Sequence, residues 1–276
     1  MKNTLLWLSA LAGLGACYYL KKENEKIENE CFIYRNEVIP QAFDGTRILH
    51  LSDIHEIELG KNHQKLLERV DLFQPEYIVI SGDVIDGRRK KHRHDSMRYL
   101  MQELCRRAVV FYVSGNHEFE NPFYPPLCQI MQDAGVIILE NDQIEIEKDN
   151  ANITLTGVMD TNKFINQADF EETLQALKPQ SGFSILLSHR PEQFDAYVKT
   201  GYHLVFSGHA HGGQIQLVHR KGLFAPGQGF LPQYCDGLYQ KGDTTMIVSR
   251  GLGNSKFPVR IHASRHIVEV ILKKSK

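Results

Sequence analysis

YIVISGDVID, residues 77–86, begins as a strand and ends as a pair of carboxylates. Tyr77 to Ile80 is an apolar, β-rich run without polar alternation, the pattern of a strand buried on both faces. Ser81 and Gly82 close the run, and Asp83 and Asp86 follow at once. Open α/β sheets bind ligands at the carboxyl ends of their strands, so this stretch predicts both a buried sheet and a site at its edge.

The same phrase recurs four times. RILHLS (47–52) leads into Asp53 and His55. VVFYVS (109–114) leads into GNHE, with Asn116, His117 and Glu118. FSILLS (183–188) leads into His189, and HLVFS (203–207) into GHAHGGQ, with His209 and His211. Leu66, Leu67, Val70 and Phe73 mark one helical face that Pro75 ends. Met97, Leu100, Met101, Leu104, Cys105 and Ala108 mark a second, with Asp95 as its expected cap. Leu127, Ile130, Met131 and Ala134 mark a third, and Gly135 stands where a helix-ending glycine belongs. Strands with helical crossovers come first and strand-dense segments follow. The pattern favours one α/β domain of two packed sheets with helices outside, with a doubly wound single sheet as the alternative.

Five loops at one edge would converge on one site. Two aspartates, several histidines and an asparagine, without cysteine, suit Mn, Fe or Zn rather than a thiolate-seeking ion. Asp53 and His55 are two apart, so an extended backbone would aim both to one side; His209 and His211 share that spacing. Two close divalent ions need a bridging carboxylate, and Asp83 is the natural candidate. Such a pair brings about +4 against about −2 from Asp53 and Asp83. Even with a bridging hydroxide, the remaining charge attracts a phosphate and stabilises its displaced oxygens. Glycines such as Gly115 and Gly208 let the backbone pass close to the ligands.

This ordered set resembles the calcineurin-like metallophosphoesterase family over residues 44–216, and is most similar to bacterial members with an N-terminal membrane segment. The resemblance implies a four-layer fold, a double β-sheet sandwich flanked by helices. It implies two divalent metal ions and a phosphate-ester substrate cleaved by a metal-bridging hydroxide. Asp53, His55, Asp83 and His211 would hold one ion. Asp83, Asn116, His189 and His209 would hold the other, with Asp83 bridging. His117 would contact the phosphate and protonate the leaving oxygen. Two features depart from the common pattern: Gly60 falls late in SDIHEIELG, and Glu118 stands where aspartate is usual. Glu118 either orients His117 or is solvated.

Other candidates carry blander expectations. Asp86 reads as a structural loop carboxylate and His50 as a satisfied core histidine. Asp160 and Arg190 are candidates for the rim of the site. The loop RGLGN (250–254) is either a substrate-side loop or an ordinary turn. The basic loop GRRKKHRH (87–94) reads as exposed charge, or as an attractor of an anionic headgroup.

The chain has 276 residues and a formal net charge of -1, which argues against nucleic acid as partner. TLLWLSALAGLGACYYL (4–20) carries no charge and is flanked by Lys2, Lys21 and Lys22. It is expected to be a single-pass membrane anchor, in preference to a cleaved signal or a lipoprotein signal on Cys17. The expected division is 1–22 membrane segment, 23–43 polar linker and lead-in strand, and 44–276 metallophosphoesterase domain. A nuclease, a membrane lipid-headgroup pyrophosphatase acting on a lipid-linked ester, and a non-catalytic metal-binding scaffold are the competing functions. The sequence does not fix the oligomeric state.

Overall fold

A computed structural model describes residues 2–119, 121–218, 220–254 and 257–275. After an N-terminal helix, Lys2–Glu25, the chain builds two six-stranded mixed sheets. The first contains β1 (Ile27–Asn36), β2 (Arg47–Leu51), β3 (Tyr77–Ile80), β4 (Val109–Tyr112) and β5 (Ile137–Ile138), with the late strand Arg265–Lys274 between β1 and β2. β2 to β5 run parallel, joined by helices, whereas Arg265–Lys274 runs antiparallel to β2. The second contains β6 (Asp142–Lys148), β7 (Ala151–Val158), β8 (Ser184–Ser188) and β9 (Leu204–Ser207), continued by Thr244–Val248 and Gly237–Lys241.

Strand periodicity explains why the sheets stack. Alternate side chains of one strand face opposite sides. Ile48, Val79 and Phe111 turn inward and meet Leu155, Ile185, Leu187 and Phe206 of the other sheet in one core. Leu49, Ile78, Ile80 and Tyr112 turn outward against helices Gln64–Phe73, His94–Cys105 and Tyr124–Ala134. Leu186, Val205 and Val248 turn outward on the far side against helices Gln167–Ala176 and Phe194–Thr200. Each such aliphatic side chain contributes roughly 1.5–3 kcal/mol by leaving water. The result is the four-layer sandwich, helices–sheet–sheet–helices, and not a doubly wound single sheet.

Several local expectations change. Asp95 lies inside the first turn of helix His94–Cys105, and Arg93 occupies the cap without a side-chain bond. Gly135 does end its helix, at φ 96°. Residues 21–30 are no spacer. The first helix runs through Glu25, and Ile27 already begins β1, which pairs in parallel with Arg265–Lys274. The charged residues of 27–36 fit because β1 is an edge strand with one wet face.

The expected membrane anchor forms the body of helix Lys2–Glu25, but among the described residues no helix is long and apolar enough to cross a membrane. The uncharged stretch is at the short end for a span. It is diluted by Ser9, Gly13, Gly15, Tyr18 and Tyr19, and charged residues from Lys21 onward close it.

Candidate metal centre

The loops after β2, β3, β4, β8 and β9 meet at one edge of the sandwich. Those after β2 and β3 run side by side: the N–H groups of Asp53, His55 and Glu56 donate to the carbonyls of Gly82, Asp83 and Val84 at 2.8–3.0 Å. The extended backbone expected to aim Asp53 and His55 is absent. Asp53, His55, Asp83, His209 and His211 all have φ between 48° and 64°. Left-handed backbone is uncommon outside glycine, and it clusters where surrounding structure holds a site in place. Two glycines are required by close approach. A Cβ at Gly208 would lie 1.8 Å from Ser52 Oγ and 2.4 Å from Asp53 Oδ2, and one at Gly115 would lie 2.3 Å from Asp83 Oδ1.

Two triads of donor atoms result, each within 4.8 Å: Asp53, His55 and His211, and Asp83, His189 and His209. All six residues are buried. His211 Nε2 lies 3.3 Å from Asp53 Oδ1 and 3.4 Å from His55 Nε2. Asp83 Oδ2 lies 3.2 Å from His189 Nε2 and 3.8 Å from His55 Nε2. The rings are aimed from behind. His55 Nδ1 donates to the Ile85 carbonyl at 3.1 Å and His189 Nδ1 to the Ser81 carbonyl at 2.6 Å, so each Nε2 faces the centre. Such carbonyl partners fix ring orientation in metal sites.

The donor set fits cations. Asn116 Oδ1 and His209 Nε2 are buried without a hydrogen-bond partner, an arrangement that buried polar atoms avoid unless something else satisfies them. The electrostatics agree. Burial, opposed by His189 and reinforced by Asp83, pushes the Asp53 carboxyl up to about 6. Burial pulls His55 down to about 4 and holds His209 and His211 well below the usual imidazole range. Burial also disfavours a charged His189, yet the Asp83 carboxylate outweighs it and raises the ring to about 10. Two buried carboxylates, with His55, His209 and His211 held neutral and only His189 held charged by Asp83, favour further positive charge between them.

His117 borders the same centre: one of its ring nitrogens lies within 4.8 Å of donor atoms of His55 and Asp83. Its Nδ1 accepts the Gly87 N–H at 2.8 Å, which leaves the proton of the neutral ring on Nε2. Burial lowers its pKa, but Asp86, Asp83 and Glu118 together carry it above the ordinary value. Asp86 is the expected structural carboxylate. It holds Arg88 through two side-chain bonds, and its Oδ1 stands 3.5 Å from His117 Nδ1.

Glu118 is fully buried and neither orients His117 directly nor meets solvent. Its oxygens accept the N–H groups of Asp83, Val84, Ile85 and Gly115, tying two site loops together. Arg190 lines the cleft beside Asp83 and His209, and Asp160 clamps it with bonds of 2.7 and 3.0 Å. His50 is a core histidine with Nε2 2.7 Å from Ser81 Oγ, but its buried Nδ1 has no hydrogen-bond partner, so it is only half satisfied.

Some contributors carry no sequence signal. Glu56, buried, bonds the Arg93 N–H at 2.7 Å and meets His92 Nδ1 at 3.0 Å, pinning the basic loop. Arg260, fully buried, places Nη2 3.4 Å from His211 Nδ1. The loop RGLGN backs the site instead of facing substrate: the Gly253 N–H donates to the Asp53 carbonyl at 2.6 Å. Its glycines follow ordinary turn chemistry in sequence, and only the contact with Asp53 and His55 gives them a role.

Comparison with known proteins converges on one description. The model of the calcineurin-like phosphoesterase family matches residues 46–213. The chain is 30% identical over 272 residues to YkuE of Bacillus subtilis (strain 168), an uncharacterised metallophosphoesterase, covering 96% of this chain and 92% of that protein. A protein of Danio rerio, named a transmembrane protein with metallophosphoesterase domain, is 26% identical over 87% of this chain and 56% of its own length. Among solved structures, TT1561 of Thermus thermophilus shares the fold with a TM-score of 0.50 at 12% identity, over 75% of this chain and 90% of that one.

Proposed function

This chain belongs to the calcineurin-like phosphoesterase family and is a metal-dependent phosphoric ester hydrolase, and on that premise we propose a two-cation centre in which each donor set of the site holds one ion. Asp53, His55, Asp83 and His211 hold the first. Asp83, Asn116, His189 and His209 hold the second, and Asp83 is shared. Mn, Fe and Zn all suit these nitrogen and oxygen donors.

One observation carries the reading. A single Asp83 carboxylate oxygen is 3.2 Å from His189 Nε2 and 3.8 Å from His55 Nε2, so it borders both donor sets. Two divalent ions, when bound, would supply positive charge against the phosphoryl oxygens and make water nucleophilic near neutral pH. The chain's own residues do the rest. Water oxygen bonds to phosphorus as the bond to the leaving oxygen breaks. His117, once protonated to the imidazolium that Asp86 and Asp83 favour, would give its Nε2 proton to that leaving oxygen and return to the neutral ring. Arg190, held by Asp160, faces the cleft where phosphate oxygens would lie. The bond cleaved is a phosphomonoester, phosphodiester or pyrophosphate.

Elemental analysis of the manganese-loaded protein, paired with hydrolysis of bis(p-nitrophenyl) phosphate, tests the reading. The expected result is two ions per chain and a turnover that Asp83→Ala abolishes together with bound metal. An Asp83→Ala protein with full activity overturns the shared-ligand assignment. Bound metal without hydrolysis of any ester leaves a metal-binding scaffold.

A further inference from the structure

Two clefts open from the site and share Asn116 and His117 as their common wall. Their exposed rims differ. One, of about 910 Å³, is bordered by Arg89, Lys90 and Lys91. The other, of about 660 Å³, runs from Asp83 and His209 out to Leu223, Phe224, Phe230 and Phe257. The three phenylalanines are 46%, 77% and 58% exposed. Large apolar side chains gathered in the open beside a reactive centre mark a binding surface.

Both walls are built. The basic loop is anchored to the site by Glu56 through Arg93 and His92, and His92 stacks on Phe123 with ring centroids 4.5 Å apart. The aromatic wall sits on a short hairpin, Phe224–Ala225 with Gly229–Phe230, whose two phenylalanine rings meet edge to face at 5.5 Å. A single-stranded nucleic acid would ask for cations and aromatic rings interleaved along one groove. The basic cleft does contain Phe119 and Phe123, but Phe123 is buried under His92, and the exposed rings Phe224, Phe230 and Phe257 all line the other cleft.

Resting on the hydrolase reading above, we propose that the substrate is an amphiphilic phosphoester. Its scissile phosphate lies at Asp83, Asn116 and His117. An apolar chain or ring system extends along Phe224, Phe230 and Phe257, and a second anionic group lies toward Arg89, Lys90 and Lys91. Each methylene laid against the aromatic wall strengthens binding by up to about fourfold, and the anionic group adds a salt-sensitive attraction.

Binding of alkyl phosphonates to the manganese-loaded full chain, from methyl to octyl, reads the apolar arm by calorimetry without needing turnover. Affinity should climb severalfold along the series, and Phe230→Ser and Phe257→Ser should each flatten the climb. Octyl diphosphate against octyl phosphate reads the anionic arm. The diphosphate should bind more tightly, and the double variant Lys90→Gln/Lys91→Gln should remove that advantage. All four positions are exposed, so the variants should fold. A flat alkyl series, or a diphosphate advantage untouched by the lysine changes, overturns the proposal, as does tighter binding of an oligonucleotide than of octyl diphosphate. Failure to hydrolyse any ester strikes the hydrolase reading instead, and the alkyl series still decides this one.

Discussion

Glu118 Oε2 accepts the backbone N–H of Asp83 at 3.0 Å. Through this bond the carboxylate placed at the meeting of the two donor sets is positioned by a residue thirty-five places further along the chain. The same oxygen accepts the Gly115 N–H at 2.8 Å, so the loops after β3 and β4 are set by one side chain.

Glu118→Gln turns an NH2 group toward backbone N–H donors. Stability should fall by about 1–3 kcal/mol from the unmet donors, and metal affinity should drop 10–100-fold, in the manner of a lost supporting contact. Urea unfolding and a manganese titration measure the two effects. Unchanged metal affinity would reduce Glu118 to a purely structural role.

Replacing His117 with Gln should leave metal content intact and lower kcat by about 10²–10⁴ on an ester with an alkyl leaving group. A p-nitrophenyl leaving group needs little protonation, so the loss there should be much smaller. Equal losses on both substrates would argue that His117 binds phosphate and does not donate a proton.

Stripping divalent ions should destabilise the fold, because the buried carboxylates Asp53 and Asp83 would then be offset by the His189 imidazolium alone. A ligand at 100 times its Kd stabilises by about 2.7 kcal/mol, so the melting temperature should fall measurably on chelation and return with Mn²⁺. Calorimetry of the chelated and reloaded protein checks this.

His50 is buried and neutral; burial, aided by the nearby His266, pulls it down to about 3 from 6.5. Its folded pKa is depressed, so its contribution to stability is full above about 6.5 and is lost as pH falls toward 3. The dependence amounts to at most about 1.4 kcal/mol per pH unit. His50→Leu should flatten the acid limb of a stability–pH curve across that window. A wild-type slope retained in the variant would sink the assignment.

Gly208→Ala would place a methyl group 1.8 Å from Ser52 Oγ. The chain must shift to admit it, and Asp53, which accepts both the Ser52 hydroxyl and the His209 N–H, shifts with it. Metal binding should weaken sharply, whereas Gly135→Ala, with open space around its Cβ position, should cost only local helix-end strain.

The sequence alone determined the strands buried on both faces, β2, β3, β4, β8 and β9, since such burial leaves a local apolar signature, whereas the half-exposed edge strands Ile27–Asn36 and Gly237–Lys241 leave none. It also supplied the donor types, because Asp, Asn and His each follow directly on a strand end. Tertiary structure decided which loops face one another. Asp53 meets the His209 N–H across 156 positions, and no periodicity reaches that far. Glu56, Glu118 and Arg260 act from burial and through backbone bonds, in stretches that read as ordinary loop, strand-end or C-terminal sequence. The left-handed backbone at Asp53, His55 and Asp83 follows from loops pressed together by two sheets. The contrast between a cationic rim and an exposed aromatic wall exists only once residues near 90 and near 230 are brought to the two sides of Asn116 and His117, because cleft chemistry belongs to surfaces and not to segments.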